Sequence, residues 1–119
     1  MEARVLLVCN DENCRKGLMH LFKGSGLSIH GVLGDADLLL EILDREYDLV
    51  IYDLESSNKD GLKLIKIMRR IRPKVPLLVI SSDPSKKLGG KVLQEGVTYY
   101  SVKPIEPAGF KEAVLTILK

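Results

Sequence analysis

Apolar residues follow two different spacings along this chain. Five short runs of consecutive apolar or β-branched residues are separated by longer stretches in which apolar residues recur every three or four positions. Short continuous apolar runs are typical of buried strands, and the longer spacing is typical of a helix that buries one face. The predicted strands cover residues 4–8, 27–33, 48–53, 75–80 and 97–102.

The stretches between these strands predict five helices, at residues 13–23, 35–46, 61–72, 85–95 and 107–118. Asn13 is the expected N-cap of the first helix, and Asp35 or Asp37 that of the second, because short polar side chains satisfy the free N–H groups of a first turn. Gly89 and Gly90 should weaken the fourth helix by about 2 kcal/mol relative to two alanines. Strands that alternate with helices in this way predict an α/β fold, a doubly wound parallel sheet with helices on both faces.

Polar residues stand at the carboxyl ends of four of the five predicted strands: Asn10 and Asp11, Asp53, Ser81 and Lys103. In a parallel sheet these ends meet at one edge, where such folds bind their ligands. A carboxylate, a hydroxyl and an ammonium group together suit the capture of a phosphoryl group. Asp53 is the predicted nucleophile, and Ser81 and Lys103 would stabilise charge on the phosphoryl oxygens.

Length, charge and cysteine content narrow the class of protein. The 119 residues fit one domain, 1–119, with a sizeable core, and the net charge of +2 gives no reason to expect direct nucleic-acid binding. Cys9 and Cys14 are the two cysteines, which fits neither a disulfide framework nor a zinc ligand set. No apolar run approaches the length of a membrane span, and the start lacks the features of a signal peptide. We therefore expect a cytoplasmic location.

Three blocks of the sequence resemble a known family. They read YDLVIYDL at 47–54 with DGL at 60–62, PLLVISS at 76–82, and GVTYYSVKP at 96–104. In this order, and with no insertions between them, they are similar to the receiver domains of two-component response regulators over the whole chain. Each block alone is a weak signal, but the three in order on the expected elements make a specific one.

The resemblance implies a flavodoxin-like fold with strand order 2-1-3-4-5 and a role in phosphorelay signalling. By position, Asp53 is the phosphoacceptor, Ser81 the hydroxyl that follows the phosphoryl group, Lys103 the phosphate-binding lysine, and Tyr100 the aromatic switch residue. The Lys103–Pro104 bond is expected to be cis, and the chain is not expected to be an enzyme. The implied partners are a histidine kinase or phosphotransfer protein, an unknown output domain or protein, and a second copy bound through the fourth helix, fifth strand and fifth helix.

The chain departs from the family after the first strand, where receiver domains carry an acidic pair that holds Mg²⁺. Counting back from Arg15 places Cys9 and Asn10 at that pair. A thiol is a poor ligand for Mg²⁺, which prefers oxygen, and Asn10 offers only a neutral oxygen. Any Mg²⁺ site is therefore expected to be weak, formed by Asp53 and Asn10 with Asp11 or Glu55 as partial replacements for the lost acid.

Two other functions remain open from the sequence. A pseudo-receiver, which binds proteins without phosphorylation, is favoured by Cys9 and Asn10. A small flavodoxin-like enzyme or cofactor binder is disfavoured, because no glycine-rich loop follows the first strand. Asp53 taken alone could be a turn residue, and Cys9 is expected to be a small buried apolar residue without a resolving partner for redox chemistry. The chain ends with its last helix, so we expect no output domain within it.

Overall fold

Within residues 2–57 and 60–119, which a computed structural model describes, five parallel strands form one sheet in the order β2-β1-β3-β4-β5. The strands are β1 (Arg4–Val8), β2 (Ser28–Val32), β3 (Leu49–Asp53), β4 (Leu77–Ser81) and β5 (Tyr99–Val102). The helices are α1 (Glu12–Leu21), α2 (Asp35–Asp44), α3 (Gly61–Ile71), α4 (Lys86–Gln94) and α5 (Pro107–Ile117). The predicted fold class and strand order are confirmed.

Alternating side chains of the central strands fill two hydrophobic layers, one on each face of the sheet. On β1, Leu6 and Val8 pack into the layer that α2, α3 and α4 cover, whereas Val5 and Leu7 pack into the layer that α1 and α5 cover. All residues of β3 and β4 are buried, as expected for strands with helices on both faces. This burial fixes the position of the residue that ends each strand.

The starts of two helices differ from the sequence-based expectation. Asp11, and not Asn13, is the N-cap of α1: its Oδ1 accepts hydrogen bonds from the backbone N–H groups of Asn13 and Cys14. Gly34 occupies the N-cap of α2 without a side-chain hydrogen bond, and Asp35 begins the helix itself. The N-cap of each helix therefore lies before the residue that the sequence predicted. A short polar residue near a helix start does not reveal its own backbone conformation.

The loop after β3 begins with a 3₁₀ turn over Leu54–Ser56, and α3 starts after Asp60, whose side chain caps it by accepting a hydrogen bond from the backbone N–H of Lys63. Asn58 and Lys59 of the predicted loop lie outside the described residues. The Lys103–Pro104 peptide bond is cis, as predicted. None of the helices in the described parts of the chain is long and apolar enough to cross a membrane.

Candidate functional site

Asp53 is the last residue of β3, and its carboxylate lies at the carboxyl edge of the sheet with only 1% of the residue exposed. Its Oδ2 atom accepts a hydrogen bond from Lys103 Nζ at 2.9 Å, and its Oδ1 atom accepts one from the backbone N–H of Glu55 at 3.1 Å. A charge that is buried needs such partners, because an unpaired carboxylate would be strongly destabilising. Both oxygens of Asp53 are thus held in fixed directions.

Lys103 follows β5 and reaches Asp53 across the end of β4. Its backbone N–H donates to the carbonyl oxygen of Ser81 at 2.8 Å, which continues the sheet pairing one residue past β5. Burial alone would lower the pKa of Lys103, but the hydrogen bond to Asp53 and the negative charges of Asp53 and Glu55 outweigh it and raise that pKa. Lys103 is therefore a cation at neutral pH, aimed at the buried carboxylate.

Ser81 ends β4 beside Asp53 and is fully buried. Its Oγ accepts a hydrogen bond from the backbone N–H of Asp83 at 3.1 Å. Glu55 overhangs this part of the site, with its Oε1 2.7 Å from the backbone nitrogen of Ser82 and 3.5 Å from Lys103 Nζ. Burial alone would raise the pKa of Glu55, but hydrogen bonds from Ser82 and Ser81 and the charge of Lys103 lower it overall.

Tyr100, the predicted switch residue, lies half-buried on β5 against the layer that α4 covers. Its hydroxyl donates to the backbone carbonyl of Asp83 at 3.2 Å, in the loop that leads into α4. Tyr99, its neighbour, is exposed on the opposite side of the strand. Tyr100 therefore connects the loop after Ser81 with the face formed by α4 and β5.

Two cysteines, Cys9 and Cys14, lie on the other side of Asp53. Cys9, fully buried directly after β1, points its Sγ at Asp53 Oδ2 across 3.3 Å, and Cys14 Sγ joins them, so that all three ligand atoms lie within 4.8 Å of one another. The hydrogen bond with Cys14, burial and the hydrogen bond to Asp53 together raise the pKa of the Cys9 thiol. The hydrogen bond from Cys9 lowers the pKa of Cys14.

Sequence reasoning missed the proximity of these two thiols. Cys14 shares the apolar face of α1 with Leu18, which follows it by one helical turn. This spacing is the sequence feature that indicates an inward-facing Cys14. The first turn of α1 stands over the end of β1, because Asp11 caps the helix only two residues after Cys9. A thiol on the inner face of that first turn is thereby brought to the thiol that ends the strand.

The residues predicted to replace the lost acid are occupied elsewhere. The Asp11 carboxylate caps α1, and Glu55 is bound to Ser82 and Lys103. Asn10 is exposed, and its backbone N–H donates to the Ser56 hydroxyl at 3.0 Å. The side chains gathered at Asp53 Oδ2 therefore include two thiols and an ammonium. These groups do not fit Mg²⁺, a cation that requires several oxygen ligands in octahedral geometry.

An open groove of about 480 Å³ leads to this edge of the sheet. It runs between α1 and the segment that joins β5 to α5, and Asp11, Cys14, His20, Lys103 and Pro104 are among the residues that line it. Cys14 and Lys103 are therefore accessible from solvent, although Asp53 and Cys9 are not.

Comparison with known proteins identifies the family to which the fold belongs. Residues 5–115 match the family model described as the response regulator receiver domain. FleR, a response regulator protein of Pseudomonas aeruginosa, is 30% identical over 115 residues, which cover 96% of this chain and 24% of FleR. ZraR, a transcriptional regulatory protein of Salmonella typhimurium, is 24% identical over 102 residues, covering 86% of this chain and 23% of ZraR. The chain thus spans about a quarter of the length of these curated relatives.

A solved structure extends the agreement to three dimensions. The crystal structure of a CheY-like receiver domain protein from Methanospirillum hungatei superposes with a TM-score of 0.91 at 19% identity, covering 99% of this chain and 94% of that one. At this identity the likeness concerns the fold.

Receiver domains are signalling modules and in general not enzymes. They interact with histidine kinases or phosphotransfer proteins and with output domains, and they generally bind Mg²⁺ through acidic residues. Because the family match extends over nearly the whole sequence and the observed strand order agrees with it, this chain belongs to the response regulator receiver domains of two-component signal transduction.

Proposed function

We propose that Asp53 accepts a phosphoryl group from a histidine kinase or a phosphotransfer protein. The observation that carries this proposal is the contact of 2.9 Å between Lys103 Nζ and Asp53 Oδ2 at a carboxylate that is 1% exposed. A buried carboxylate held by one lysine has its oxygens fixed and its counter-charge already beside the place where phosphoryl oxygens would lie.

The transfer uses groups of this chain. A carboxylate oxygen of Asp53 forms a bond to phosphorus as the bond from phosphorus to the donor atom breaks and the donor leaves with that electron pair. Lys103 Nζ and the Ser81 hydroxyl then donate hydrogen bonds to the phosphoryl oxygens. In receiver domains that hold Mg²⁺, the metal neutralises phosphoryl charge. We assign it no step here, because the groups around Asp53 do not fit it.

The response to phosphorylation would pass through Ser81 and Tyr100. Ser81 Oγ accepts a hydrogen bond from the backbone of Asp83, and Tyr100 donates one to the carbonyl of the same residue. A Ser81 hydroxyl that turns to a phosphoryl oxygen would disturb this loop and free Tyr100 to change rotamer. The affected face consists of α4, β5 and α5, which we propose as the site for an output partner or a second copy. Its exposed apolar side chains include Leu93, Tyr99 and Val102.

The extent of the domain, its location and its possible Mg²⁺ ligands are proposed on the basis of the sequence. We propose that residues 1–119 act as one receiver domain in the cytoplasm, without direct binding to nucleic acid or to a membrane. Glu55, and more weakly Asp11 because it caps α1, are the groups that would contribute if Mg²⁺ binds. Glu55→Ala should then weaken Mg²⁺ binding, and an unchanged Mg²⁺ titration would contradict that role.

Intact mass spectrometry after incubation with acetyl phosphate tests the proposal. The wild type should gain the mass of one phosphoryl group, and Asp53→Asn, which keeps the shape of the side chain, should gain none. Asp48→Asn is the matched control, because Asp48 stands at the opposite end of the same strand, where it accepts a hydrogen bond from the backbone of Arg4. Phosphorylation of Asp53→Asn, or its loss in Asp48→Asn, would contradict the assignment.

A pseudo-receiver is the second candidate, and the thiol of Cys9 beside Asp53 favours it. With Cys9 and Asn10 at the positions of the acidic pair, the site lacks the acidic metal ligands on which phosphoryl transfer in this family relies. If the folded wild type gains no phosphoryl group with acetyl phosphate, with or without Mg²⁺, the chain is a protein-binding module that acts in its unmodified form.

A further inference from the structure

We propose that Cys9, Cys14 and Asp53 form a binding site for a thiolate-preferring divalent metal of the Zn²⁺ class. The two sulfur atoms and a carboxylate oxygen lie within 4.8 Å of one another at the carboxyl edge of the sheet. Thiolate sulfur and carboxylate oxygen are both ordinary ligands of Zn²⁺, and thiolates select it over Mg²⁺. This inference does not depend on phosphorylation of Asp53.

The spacing of the ligand atoms suits a tetrahedral ion. With zinc–sulfur bonds of about 2.3 Å, two sulfurs of a tetrahedral site lie about 3.8 Å apart. Cys9 Sγ is already 3.3 Å from Asp53 Oδ2, and the most widely separated pair needs to approach by no more than about 1.3 Å. Rotation of the Cys14 side chain on the first turn of α1 provides such a change.

Hydrogen bonds also orient two of the ligand residues, as is usual at metal sites. The Asp53 Oδ1 atom accepts from the backbone N–H of Glu55, and the carbonyl oxygen of Cys9 accepts from Arg15 Nη1 at 3.2 Å. These bonds leave the Cys9 sulfur and Asp53 Oδ2 directed toward each other. Preformed ligand orientation lowers the ordering cost of binding.

The charges balance when the ion is bound. Two thiolates and one carboxylate carry three negative charges, and a divalent cation together with Lys103, 2.9 Å from Asp53, carries three positive ones. Each thiol releases its proton to solvent as its sulfur binds the metal. The buried site would then be neutral as a whole, which avoids the large penalty for an uncompensated charge.

Access and the fourth ligand position are provided by the groove between α1 and the segment after β5. Cys14 and Lys103 line this groove, so an ion can enter from solvent next to Cys14. In the described parts of the chain, no further cysteine, histidine or acidic side chain joins these three residues as a fourth ligand. Three protein ligands with an open fourth position leave room for water or for a group from outside.

A calorimetric titration with Zn²⁺ tests the proposal. The buffer contains a phosphine reductant and no phosphodonor. The wild type should bind one Zn²⁺, and Co²⁺ in its place should give a sulfur-to-metal charge-transfer band. Cys14→Ser should weaken Zn²⁺ binding at least about 100-fold, since loss of outer-shell groups alone costs 10–100-fold. Asp53→Asn should weaken binding but keep the charge-transfer band.

His20→Gln is the matched control, because His20 also lies on α1 and lines the same groove but does not belong to the cluster. It should bind Zn²⁺ like the wild type. Cys14 is half-buried, and therefore Cys14→Ser should stay folded even if Cys9→Ser, at a fully buried position, does not. Absence of Zn²⁺ binding, equal affinity in Cys14→Ser, or loss of binding in His20→Gln would each overturn the proposal.

Discussion

The two sides of Asp53 differ in the chemistry that surrounds it. On the lysine side, formed by Ser81 and Lys103 at the ends of β4 and β5, a cation and a hydroxyl stand beside the carboxylate. On the cysteine side, formed by Cys9 and Cys14 after β1 and on α1, two thiols stand there. The lysine side holds the groups that we propose bind a phosphoryl group, and the cysteine side has a thiol, Cys9, where the family resemblance implies an acid.

The group that compensates the charge of Asp53 is thus separate from the residues at the positions of the acidic pair. Lys103 compensates the charge of the buried Asp53 carboxylate. In a site with three carboxylates, mutual repulsion would favour a bound cation. Here Cys9 and Asn10 stand at the positions of the acidic pair, so this repulsion is weaker.

Removing the cation from the lysine side should have the largest effect on stability. Lys103→Met leaves Asp53 buried without its counter-charge, and we expect the free energy of unfolding to fall by about 2–3 kcal/mol, somewhat less than for a fully buried pair because Lys103 is partly exposed. Urea unfolding at neutral pH measures this. Lys91→Met, at an exposed position on α4, is the control and should change stability by less than about 0.5 kcal/mol. Equal curves for the two variants would contradict the role of Lys103.

Restoring an acid on the cysteine side should remove the difference between the two sides. Cys9→Asp places a second carboxylate beside Asp53, which should lower stability in the absence of divalent ions and create affinity for Mg²⁺. At ten times its Kd, Mg²⁺ should then restore about 1.4 kcal/mol of stability. Thermal unfolding with and without Mg²⁺ measures this, with Cys9→Ser as the control that should show no shift. A Cys9→Asp variant that does not respond to Mg²⁺ would show that Cys9 is not what prevents Mg²⁺ binding.

The lysine side could be predicted from the sequence because strand periodicity alone determines it. Asp53 and Ser81 directly end fully buried strands, and Lys103 follows the strand next to them. In a parallel sheet, knowing where each strand ends is sufficient to bring such residues together. The α/β fold class was predictable for the same reason, whereas the strand order came from the resemblance to receiver domains.

The cysteine side was not predictable in full, because it depends on the geometry of a turn. Whether Cys14 meets Cys9 is decided by the residue that caps α1, which the sequence predicted to be Asn13 and the structure shows to be Asp11. A shift of two residues in a helix start rotates the first turn by about half a circle. The positions of Glu55 and Asp11 likewise depend on hydrogen bonds to Ser82 and to the start of α1, which no periodicity reveals.

The glycines of α4 offer a smaller test, at the face that the lysine side is proposed to control. Gly90→Ala should raise the free energy of unfolding by up to about 1 kcal/mol, since its added Cβ meets nothing within 4 Å. Gly89→Ala should stabilise the helix similarly, but its Cβ would lie 3.4 Å from the ring of Tyr100. NMR of the tyrosine rings should therefore show slower motion of Tyr100 in Gly89→Ala only. Identical spectra in both variants would argue against coupling between α4 and Tyr100.

The smallest expected effect concerns the pH dependence that Glu55 gives to the lysine side. Its folded-state pKa is lowered below the ordinary 4.5, so the unfolded chain takes up a proton first as the pH falls. The stabilisation is complete above that ordinary value and is lost as the pH falls through the lower folded-state pKa. Because 40% of the side chain is exposed, the contribution should stay below about 1 kcal/mol.

Glu55→Gln should therefore lose less stability than the wild type between about pH 5 and pH 3, and urea unfolding at a series of pH values measures the difference. Glu112→Gln, at an exposed position on α5, serves as the surface control and should follow the wild-type curve. If Glu55→Gln and the wild type lose stability in parallel, the contacts of Glu55 with Ser82 and Lys103 do not persist in solution. Glu55 would then be free to turn toward the cysteine side, and the difference between the two sides would be smaller than the structure indicates.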